Sequence, residues 1–442
     1  METKLNRITE LAKSDKNLVF NSLVHLLNES NLKQCHHQLP KGKATGVNGT
    51  TKEMYEGNLD HNIEDLVKRM KKMAYRPVPV KRTYIDKPGS TKKRPLGIPE
   101  HEDKIVQMGI TRILNAIYEN DFLDCSFGFR PKRNCHDALK ILNVYMEQRK
   151  TNYIVDADIK GFFDHVSHDW MMKFLRHRIN DPNLLRIIAR FLKGGYMEEG
   201  KYIDTDRGTP QGGIISPVLA NIYLHYVLDL WFEKVVKKQS KGQAYMVRYA
   251  DDFVCCFQYK EDANRFYTNL IQRLRKFHLE IAEDKTKIIS FGPYAWKDAK
   301  RNGKRKPSTF DFLGFTHYCS TSKKGTFRVK RKSSKKKVRA KLKQHKAWLK
   351  ANRTRDIQDI MRRIQQSLVG YYNYYCITDN AYEVHYFLRR IKHLLFKWMN
   401  RRSQRKSFSW EKFELFLVKY PLPNPRTKTN IYDLRRHISY IL

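Results

Sequence analysis

Residues 246–257 read MVRYADDFVCCF, a mainly apolar and aromatic run that two adjacent acids, Asp251 and Asp252, interrupt. An unpaired buried carboxylate costs several kcal/mol or more, so a strand should not carry two of them in its middle. We therefore interpret MVRY and FVCCF as two strands of a hairpin with the acids at its tip. Carboxylates held this close require protonation or a bound metal ion.

A second acidic strand end lies upstream, in IVDADI. Asp158 ends this apolar strand, and Asp156 lies on the same face of it by the two-residue period. A hairpin tip beside that strand end would bring Asp158 and Asp251 within reach of one ion. Such oxygen ligands suit Mg²⁺, and two ions can clamp the attacking and leaving oxygens of a phosphoryl displacement. Solvated turn acids are the alternative for either segment taken alone.

The order of elements around these acids predicts the fold class. A short buried strand at TNYIVDADI is followed by helical segments, the hairpin, an amphipathic helix over 261–278 and a further strand over 281–291. This order predicts an α+β fold, with an antiparallel-rich sheet and helices on one face, and not a doubly wound parallel sheet. Upstream, residues 76–100 predict an extended hairpin around a Pro88-Gly89 turn.

The charge of the chain indicates its partners. Lys and Arg number 86 against 45 Asp and Glu, which leaves a net charge of +41. Positive side chains in such excess repel one another unless a polyanion neutralises them, so we expect extensive contact with phosphates. An anionic membrane surface is the competing interpretation, weakened by the absence of an apolar run near about 18–20 residues and of a signal pattern.

Cysteine spacing bears on the compartment and on metal binding. The seven cysteines form no CxxC pair and no zinc-ligand spacing, which favours reduced thiols in a cytoplasm. The Cys35-His36-His37 cluster has no second cluster to complete a tetrahedral metal site. We interpret it as an ordinary helix-to-loop segment.

Further segments in a fixed order extend the pattern. The sequence contains, in turn, KPGSTKKRPLGIP, FGFRPKRN, DIKGFFDHV, GTPQGGIISPVLANIYL, RYADDF, EDKTKIISF and FLGF. This series closely resembles group II intron-encoded reverse transcriptases, or maturases, densely over residues 40–325 and more loosely beyond. The resemblance implies a right-hand polymerase fold. Residues 1–75 would form an N-terminal extension and the start of the fingers, 76–325 the fingers and palm, and 326–442 a helical thumb or maturase domain that binds RNA.

The resemblance implies a catalytic centre. Asp158, Asp251 and Asp252 match the three palm aspartates of the family. Asp158 and Asp251 would hold two Mg²⁺ ions, for which Mn²⁺ could substitute, with Asp252 in support and the Ile159 carbonyl as a further ligand. Asp156 matches no catalytic position of the family, and we treat it as a neighbour.

Four residues match the family's nucleotide contacts: Lys87, Arg94, Phe163 and Gln211. Two cations flanking a Gly-containing turn suit a triphosphate, although such residues taken alone are more often solvated. A ring at Phe163 would clash with a 2′-hydroxyl and so select deoxynucleotides, which disfavours an RNA-dependent RNA polymerase; by composition alone it is a core residue. Lys285 is either a proton donor to the pyrophosphate or an ordinary surface lysine.

The region from residue 312 onward changes in composition. FLGF resembles the primer-grip turn of the family, with contacts from Leu313, Gly314 and Phe315. Residues 323–350 carry 14 Lys or Arg and no acid, which favours a phosphate track over a solvated helix face. We expect RNA contacts from Lys330, Arg331, Lys335, Lys336, Lys337 and Arg339. The tyrosines of SLVGYYNYYCITDN either stack on unpaired bases or form part of a core.

These features predict an RNA-directed DNA polymerase that extends a primer 3′-hydroxyl with dNTPs on an RNA template. We also expect it to bind intron RNA and to assist splicing and mobility at a DNA target, in a bacterial cytoplasm and away from membranes. The alternatives are a splicing factor acting mainly by RNA binding and a domesticated reverse transcriptase of antiphage defence. The sequence lacks the paired cysteines of an HNH-type endonuclease, so we do not expect second-strand cleavage.

Overall fold

The computed structural model describes residues 2–86, 93–209, 211–402 and 408–434. Eleven strands lie in these ranges and form three sheets: β1 (Val80–Asp86), β2 (Lys93–Ile98), β3 (Tyr153–Asp158), β4 (Tyr196–Glu198), β5 (Lys201–Ile203), β6 (Ala244–Tyr249), β7 (Asp252–Phe257), β8 (Lys287–Ser290), β9 (Phe310–Phe312), β10 (Phe315–Thr321) and β11 (Phe327–Ser333).

Helices surround the sheets and fill the two ends of the chain. In chain order they are α1 (Glu2–Ser14), α2 (Glu29–Gln38), α3 (Lys52–Glu56), α4 (Leu59–Lys71), α5 (His101–Tyr118), α6 (Cys135–Glu147), α7 (Phe162–His165), α8 (His168–Arg176), α9 (Pro182–Leu192), α10 (Ser216–Leu224), α11 (Lys237–Gln239), α12 (Lys260–Lys276), α13 (Ala295–Arg301), α14 (Lys335–Asn352), α15 (Ile357–Tyr375), α16 (Ala381–Met399) and α17 (Trp410–Lys419). The predicted α+β class is confirmed. Within the described ranges, no helix has the length and apolar character needed to cross a membrane.

The central sheet has the order β6-β7-β3-β8, and all of its neighbouring strands run antiparallel. Alternate positions of its strands face opposite sides, so its apolar residues enter two cores: Val155, Phe253 and Cys255 pack on one face, and Ile154, Val254 and Cys256 on the other. The expectation of helices on one face is therefore wrong, because α12 packs against β3 and β7 while α6 packs on β6 from the other side. The strand predicted over 281–291 is shorter than expected. Residues 282–286 form a turn, closed by hydrogen bonds from the Lys285 and Thr286 amides to the Ala282 carbonyl, so β8 begins only at Lys287.

The hairpin predicted upstream is present as β1 and β2, which pair from Lys81–Ile98 to Asp86–Lys93. The predicted Pro88-Gly89 turn, together with Lys87, lies outside the described residues. β4 joins this hairpin in parallel along β1, and β5 completes the second sheet.

The third sheet joins the middle of the chain to its C-terminal helices. β10 pairs with β11 over its full length, from Phe315–Ser333 to Thr321–Phe327. The domain boundary predicted at 325/326 therefore falls in the turn of a hairpin. The long helices of the C-terminal region begin at Lys335, and α14 and α16 pack on one another there.

One face of α6 binds this C-terminal region with four polar side chains spaced at helical intervals, which we call the α6 stripe: His136, Lys140, Asn143 and Glu147. His136 Nε2 lies 2.9 Å from the Tyr374 carbonyl, and a Glu147 carboxylate accepts from the Val329 amide at 2.7 Å. Lys140 donates to the Asp433 carbonyl, and Asn143 accepts from Arg331. Positions three and four residues apart share one helix face, so the stripe presents a continuous polar contact.

Candidate active site

The predicted β6–β7 hairpin is present, with Asp251 in its tip and Asp252 as the first residue of β7. β6 ends at Tyr249 and β7 begins at Asp252, so Ala250 and Asp251 form a two-residue tip. Ala250 has φ 58°, in the left-handed region that few non-glycine residues adopt. A Cβ added to Gly128 would lie 2.4 Å from the Ala250 amide nitrogen, so the FGFRPK loop needs a glycine to pack against the tip.

A fully buried arginine holds this tip in place. Arg248 uses all three guanidinium nitrogens: Nε donates to Asp229 Oδ1 at 2.7 Å, Nη1 to Asn221 Oδ1 at 3.1 Å and to the Ala250 carbonyl at 3.0 Å, and Nη2 to Ser126 Oγ at 2.8 Å. Neither Arg248 nor Asp229 is exposed. Sequence reasoning missed this network. The only signal was a single arginine inside an otherwise apolar strand.

The predicted aspartates are brought together. Asp158, at the end of β3, is the register partner of Asp252 in β7. Burial, and then the charge of Asp158, raises the pKa of Asp251. Burial, followed by the charges of Asp156, Asp158 and Asp251, raises the pKa of Asp252 well above its usual range. The charges of Asp156, Asp158 and Asp251 all act on Asp252, so the four carboxylates lie close together, and a bound cation would offset their charge.

Asp156 belongs to the same acidic group and lies two residues before Asp158 on β3. Burial, and then the nearby Asp311 carboxylate, raises its pKa to about 7. Ile159, the predicted carbonyl ligand, follows β3 directly and forms an isolated bridge with Ile281. The backbone at the acidic end of β3 is thus fixed on both sides.

A lysine supplies positive charge to the acids. The Lys285 ammonium forms an ion pair with Asp158, and this hydrogen bond is the main cause of the raised pKa of Lys285. Its side chain is about half exposed, at 51%. Of the two interpretations of Lys285 from sequence, the structure therefore favours a position inside the site over an isolated surface lysine.

A cavity of about 270 Å³ lies between the β1–β2 hairpin and the helices that follow β3. Phe163 and Gln211, both predicted nucleotide contacts, line it, and Phe163 is only partly buried. The Gly97 amide donates to the Gln211 carbonyl at 2.5 Å, which joins the hairpin to the TPQGG segment. A Cβ on Gly212 would lie 2.6 Å from the Gly97 carbonyl oxygen, so this close approach requires glycine.

Two arginines bring positive charge to this region. Arg94 is exposed on β2, and its charge lowers the pKa of Asp251, which places the guanidinium within electrostatic range of the acidic tip. Arg82 lines the cavity and lies over the Tyr196 ring, 3.5 Å from the ring centroid. Sequence reasoning did not single out Arg82. Neighbouring residues of a strand point to opposite faces, so the exposed Lys81 could have indicated that Arg82 faces the other side of β1.

The FLGF turn links β9 to β10. Leu313 and Gly314 have φ values of 49° and 79°, which fits a tight two-residue hairpin turn of the primed type. The Tyr374 hydroxyl donates to the Leu313 carbonyl at 2.7 Å, and Phe315 stacks on the Tyr374 ring. The predicted primer-grip residues are therefore held by α15.

The tyrosine cluster of α15 belongs to the core rather than to an exposed stacking surface. Tyr371 and Tyr372 are buried, and Tyr371 stacks on Phe387 of α16 with ring centroids 3.9 Å apart. Tyr374 and Tyr375 are partly buried against Phe315. Of the two alternatives left open by the sequence, the structure thus favours packing.

The predicted RNA-binding cations fall into two groups. Lys335, Lys336, Lys337 and Arg339 are exposed in the first turns of α14, and Lys330 is partly exposed on β11. Arg331 is the exception, because it is fully buried and bonds to Asn143 and to the Val329 carbonyl. The prediction for Arg331 is corrected on this ground. Alternate residues of β11 face inward, and position 331 is on the inner face.

The fold is that of a right-hand polymerase. It combines the antiparallel central sheet and its acidic hairpin tip with the β2-β1-β4-β5 sheet and a helical C-terminal region. The sequence model of the reverse transcriptase family (RNA-dependent DNA polymerase) matches residues 85–317, more than half of the chain. The protein therefore belongs to the reverse transcriptase family. A second model, the maturase-specific domain of group II introns, matches residues 335–416. The reverse transcriptase family generally uses divalent metal ions in catalysis.

Individual relatives match parts of the chain. The group II intron-encoded protein LtrA of Lactococcus lactis is 39% identical over 231 residues, covering 51% of this chain and 38% of LtrA. Protein YkfC of Escherichia coli K12 is 33% identical over 243 residues, covering 48% of this chain and 64% of YkfC. The chain thus spans less than two thirds of either relative. Among solved structures, a telomerase of Candida albicans in complex with a telomeric RNA fragment matches 83% of this chain and 65% of its own, with 12% identity and a TM-score of 0.44.

Proposed function

We propose that the protein is an RNA-directed DNA polymerase that adds deoxynucleotides to a primer 3′-hydroxyl on an RNA template. The observation that carries this proposal is the meeting of Asp158, Asp251 and Asp252 at one hairpin tip. The adjoining fingers strands and helices enclose a cavity lined by Phe163 and Gln211, which suits an incoming dNTP. The match of more than half the chain to the reverse transcriptase family supports the same activity.

The donor set of the tip suits two Mg²⁺ ions, with Mn²⁺ as a substitute, because carboxylate and carbonyl oxygens are hard ligands. Asp158 and Asp251 would hold them, with Asp252 in support and the Ile159 carbonyl completing the shell. Burial, and then the neighbouring carboxylates, raise the pKa values of Asp251 and Asp252, so a bound cation would stabilise their ionised forms. The chemistry that Mg²⁺ would supply there is activation of the primer hydroxyl and neutralisation of charge on the leaving pyrophosphate.

The surrounding side chains bind and orient the substrates. Arg94, together with Lys87, binds the triphosphate, and Gln211 contacts the nucleotide. Phe163 excludes a 2′-hydroxyl and so selects deoxyribose. Lys285 is held protonated by Asp158 and can therefore pass a proton to the departing pyrophosphate.

The FLGF turn and the basic helix bind nucleic acid backbone. Leu313, Gly314 and Phe315 hold the primer end, with α15 fixing the turn from behind. The cations proposed to bind RNA phosphates are Lys330, Lys335, Lys336, Lys337 and Arg339. Three lysines lie in the first turn of α14, where their charge has the same sign as the positive end of the helix dipole. Bound phosphates would offset this repulsion.

A second function, assistance to intron RNA splicing, is favoured by the match of residues 335–416 to the group II intron maturase-specific domain. The exposed basic face of α14 supplies the phosphate contacts that this role needs. The partners would then be the intron RNA and a DNA target, in addition to the RNA template and the primer. All seven cysteines are unpaired, which supports action in the bacterial cytoplasm.

Primer extension on an RNA template with Mg²⁺ and dNTPs tests the first function. We expect Asp251→Asn to abolish extension and to leave RNA affinity within a few-fold of wild type, because the tip bears the charge and α14 binds the RNA. Asp169→Asn, at an exposed acid of α8, is the matched control and should extend normally. Extension by Asp251→Asn at the wild-type rate would overturn the assignment.

Splicing of the RNA that flanks the gene tests the second function. We expect Asp251→Asn to retain splicing assistance, since this role uses RNA binding alone. Unchanged self-splicing on addition of the wild-type protein would remove the second function and leave the first intact.

A further inference from the structure

A group of three potential metal ligands lies on the N-terminal helices, apart from the acidic tip. His36 and His37 are near the C-terminal end of α2, and Glu56 ends α3. One ligand atom of each lies within 4.8 Å of the other two. We call this group the N-terminal cluster. Glu56 supplies the third donor that the spacing of Cys35-His36-His37 could not reveal, because it comes from a separate helix.

His36 provides an independent sign of a ligand. Its side chain is fully buried, and its Nδ1 lies 3.0 Å from Nε2 of His101, at the start of α5. Its other ring nitrogen, Nε2, has no hydrogen-bond partner among the described residues. A buried polar atom left without a partner costs about 1–3 kcal/mol. A metal ion bound at Nε2 would remove that cost.

The hydrogen bond to His101 also prepares His36 for ligation. If His36 Nδ1–H donates to His101 Nε2, the Nε2 of His36 carries a free lone pair. Metal-binding histidines usually donate their other ring N–H to an acceptor in this way, which fixes the tautomer and the ring orientation.

Two lysines face the cluster and must be accommodated. Lys52 is buried, and its ammonium already donates to the carbonyls of His37 at 3.0 Å and Leu39 at 2.7 Å. Lys41 lies 3.7 Å from a Glu56 oxygen, but its side chain is 67% exposed and is free to move into solvent. Glu56 is therefore available to a cation that binds more strongly than Lys41.

We propose that His36, His37 and Glu56 bind a divalent transition metal ion of the zinc class, with water at the fourth position. Two imidazoles and a carboxylate suit such a borderline ion, in contrast to the all-oxygen set of the palm. Bonds of about 2.1 Å place tetrahedral ligands about 3.4 Å apart. His37 and Glu56 are both exposed, so their side chains can close to that spacing. The ion joins α2 to α3 and fixes the loop between them.

The test uses the full chain without an affinity tag, stripped with a chelator and kept in excess Mg²⁺ to occupy the palm carboxylates. Calorimetry with Zn²⁺, and the visible absorption of Co²⁺ in a low-symmetry site, report binding without any polymerase assay. We expect one Zn²⁺ per chain and a rise in the unfolding temperature on its addition, as linkage requires.

His37→Ala and Glu56→Gln are the informative variants, since both positions are exposed and neither change disturbs the core. We expect each to weaken Zn²⁺ binding at least tenfold and to lose the thermal shift. His61→Ala, at an exposed histidine of α4, should match wild type. Wild-type protein that binds no Zn²⁺, or variants that bind it as tightly as wild type, would overturn the proposal.

Discussion

Arg248 and Asp229 form a fully buried ion pair behind the acidic hairpin tip, with Nε donating to Oδ1 at 2.7 Å. Asp229 lies on a π-helical turn, His225–Asp229, that follows α10. The same guanidinium donates to the Ala250 carbonyl at 3.0 Å, within the tip itself. The ion pair therefore fixes the backbone conformation that presents Asp251.

We expect Arg248→Met to destabilise the protein by about 3–5 kcal/mol, because Asp229 would be left as an uncompensated buried charge. Urea unfolding followed by circular dichroism measures the change. The double variant Arg248→Met/Asp229→Leu should recover a large part of this loss, since a buried pair replaced by apolar residues is often close to neutral. Additive losses in the double variant would contradict the coupling.

Asp103 predicts a pH dependence of stability. It is buried in α5, where it accepts hydrogen bonds from the Tyr75 hydroxyl and, at 3.0 Å, from the Val78 amide. Burial raises its pKa to about 7. The folded state then binds more protons than the unfolded state between about pH 4 and pH 7, so the stability contributed at this position falls as the pH rises through that range.

Asp103→Asn should remove this dependence, because asparagine does not ionise. The free energy of unfolding of the variant minus that of wild type should therefore increase by roughly 1–3 kcal/mol when the pH is raised from about 4 to about 8. Urea midpoints at both pH values measure the difference, and other titrating groups cancel. Asp169→Asn, at an exposed acid, is the control. A parallel pH profile for wild type and Asp103→Asn would be evidence against the raised pKa.

Phe163→Ala should increase the incorporation of ribonucleotides relative to deoxynucleotides by roughly tenfold or more, because the ring would no longer clash with the 2′-hydroxyl. Single-nucleotide extension with dNTPs and with rNTPs measures the ratio. Phe162→Leu, at the neighbouring fully buried ring, should change stability and not the ratio. Unchanged discrimination in Phe163→Ala would remove this residue as the sugar gate.

Gly314 and Gly325, both in turns of the third sheet, have the same φ of 79°. Comparing their alanine variants distinguishes the effect of backbone strain from an effect on primer binding. A Cβ on Gly314 would meet the Tyr375 hydroxyl at 3.0 Å, whereas a Cβ on Gly325 has nothing within 4 Å. We expect each alanine substitution to cost about 1 kcal/mol from the backbone conformation. Only Gly314→Ala should raise the KM for primer–template in extension assays. An equal rise in both variants would argue against a primer-grip role for the turn.

The lysines of α14 should determine the salt dependence of RNA binding. Replacing Lys335, Lys336 and Lys337 by alanine removes three phosphate contacts, so the slope of log K against log salt should fall in magnitude by about 2. Fluorescence anisotropy with a labelled RNA at several salt concentrations measures it. The triple alanine variant of the exposed residues Lys234, Lys238 and Lys241 carries the same charge change and should keep the wild-type slope.

Local patterns in the sequence were sufficient to predict the acidic hairpin. Tyr249 and Asp252 are register partners only three positions apart, so the strand–turn–strand pattern contains both sides of the pairing. Asp158 could be assigned to the same site because a short apolar strand ends there. The order of the motifs supplied the rest of the fold class.

Interactions between distant segments were not predictable in this way. Arg331 belongs to a basic run whose composition suggests a surface, yet its partner Asn143 lies 188 positions away, and the alternation of β11 turns the side chain inward. Arg248 likewise contacts Ser126 across 122 positions. A buried cation is identified by its partners, and these are not adjacent in sequence. The same reason kept Glu56 separate from the two histidines.

The α6 stripe has a consequence for building hybrid enzymes. The stripe holds the C-terminal region through hydrogen bonds involving His136, Lys140, Asn143 and Glu147, and their partners lie between Val329 and Asp433. Three of these partners are backbone groups that any chain supplies, so a C-terminal region transplanted from a relative would have to match the one side-chain pair, Asn143 with Arg331. A cut at residue 325 would in addition divide the β10–β11 hairpin between two parents. Hybrids that exchange the chain from residue 310 onward and retain the pair of Asn143 and Arg331 should fold, because the whole β9–β10–β11 sheet then comes from one parent and α6 stays on its own β6.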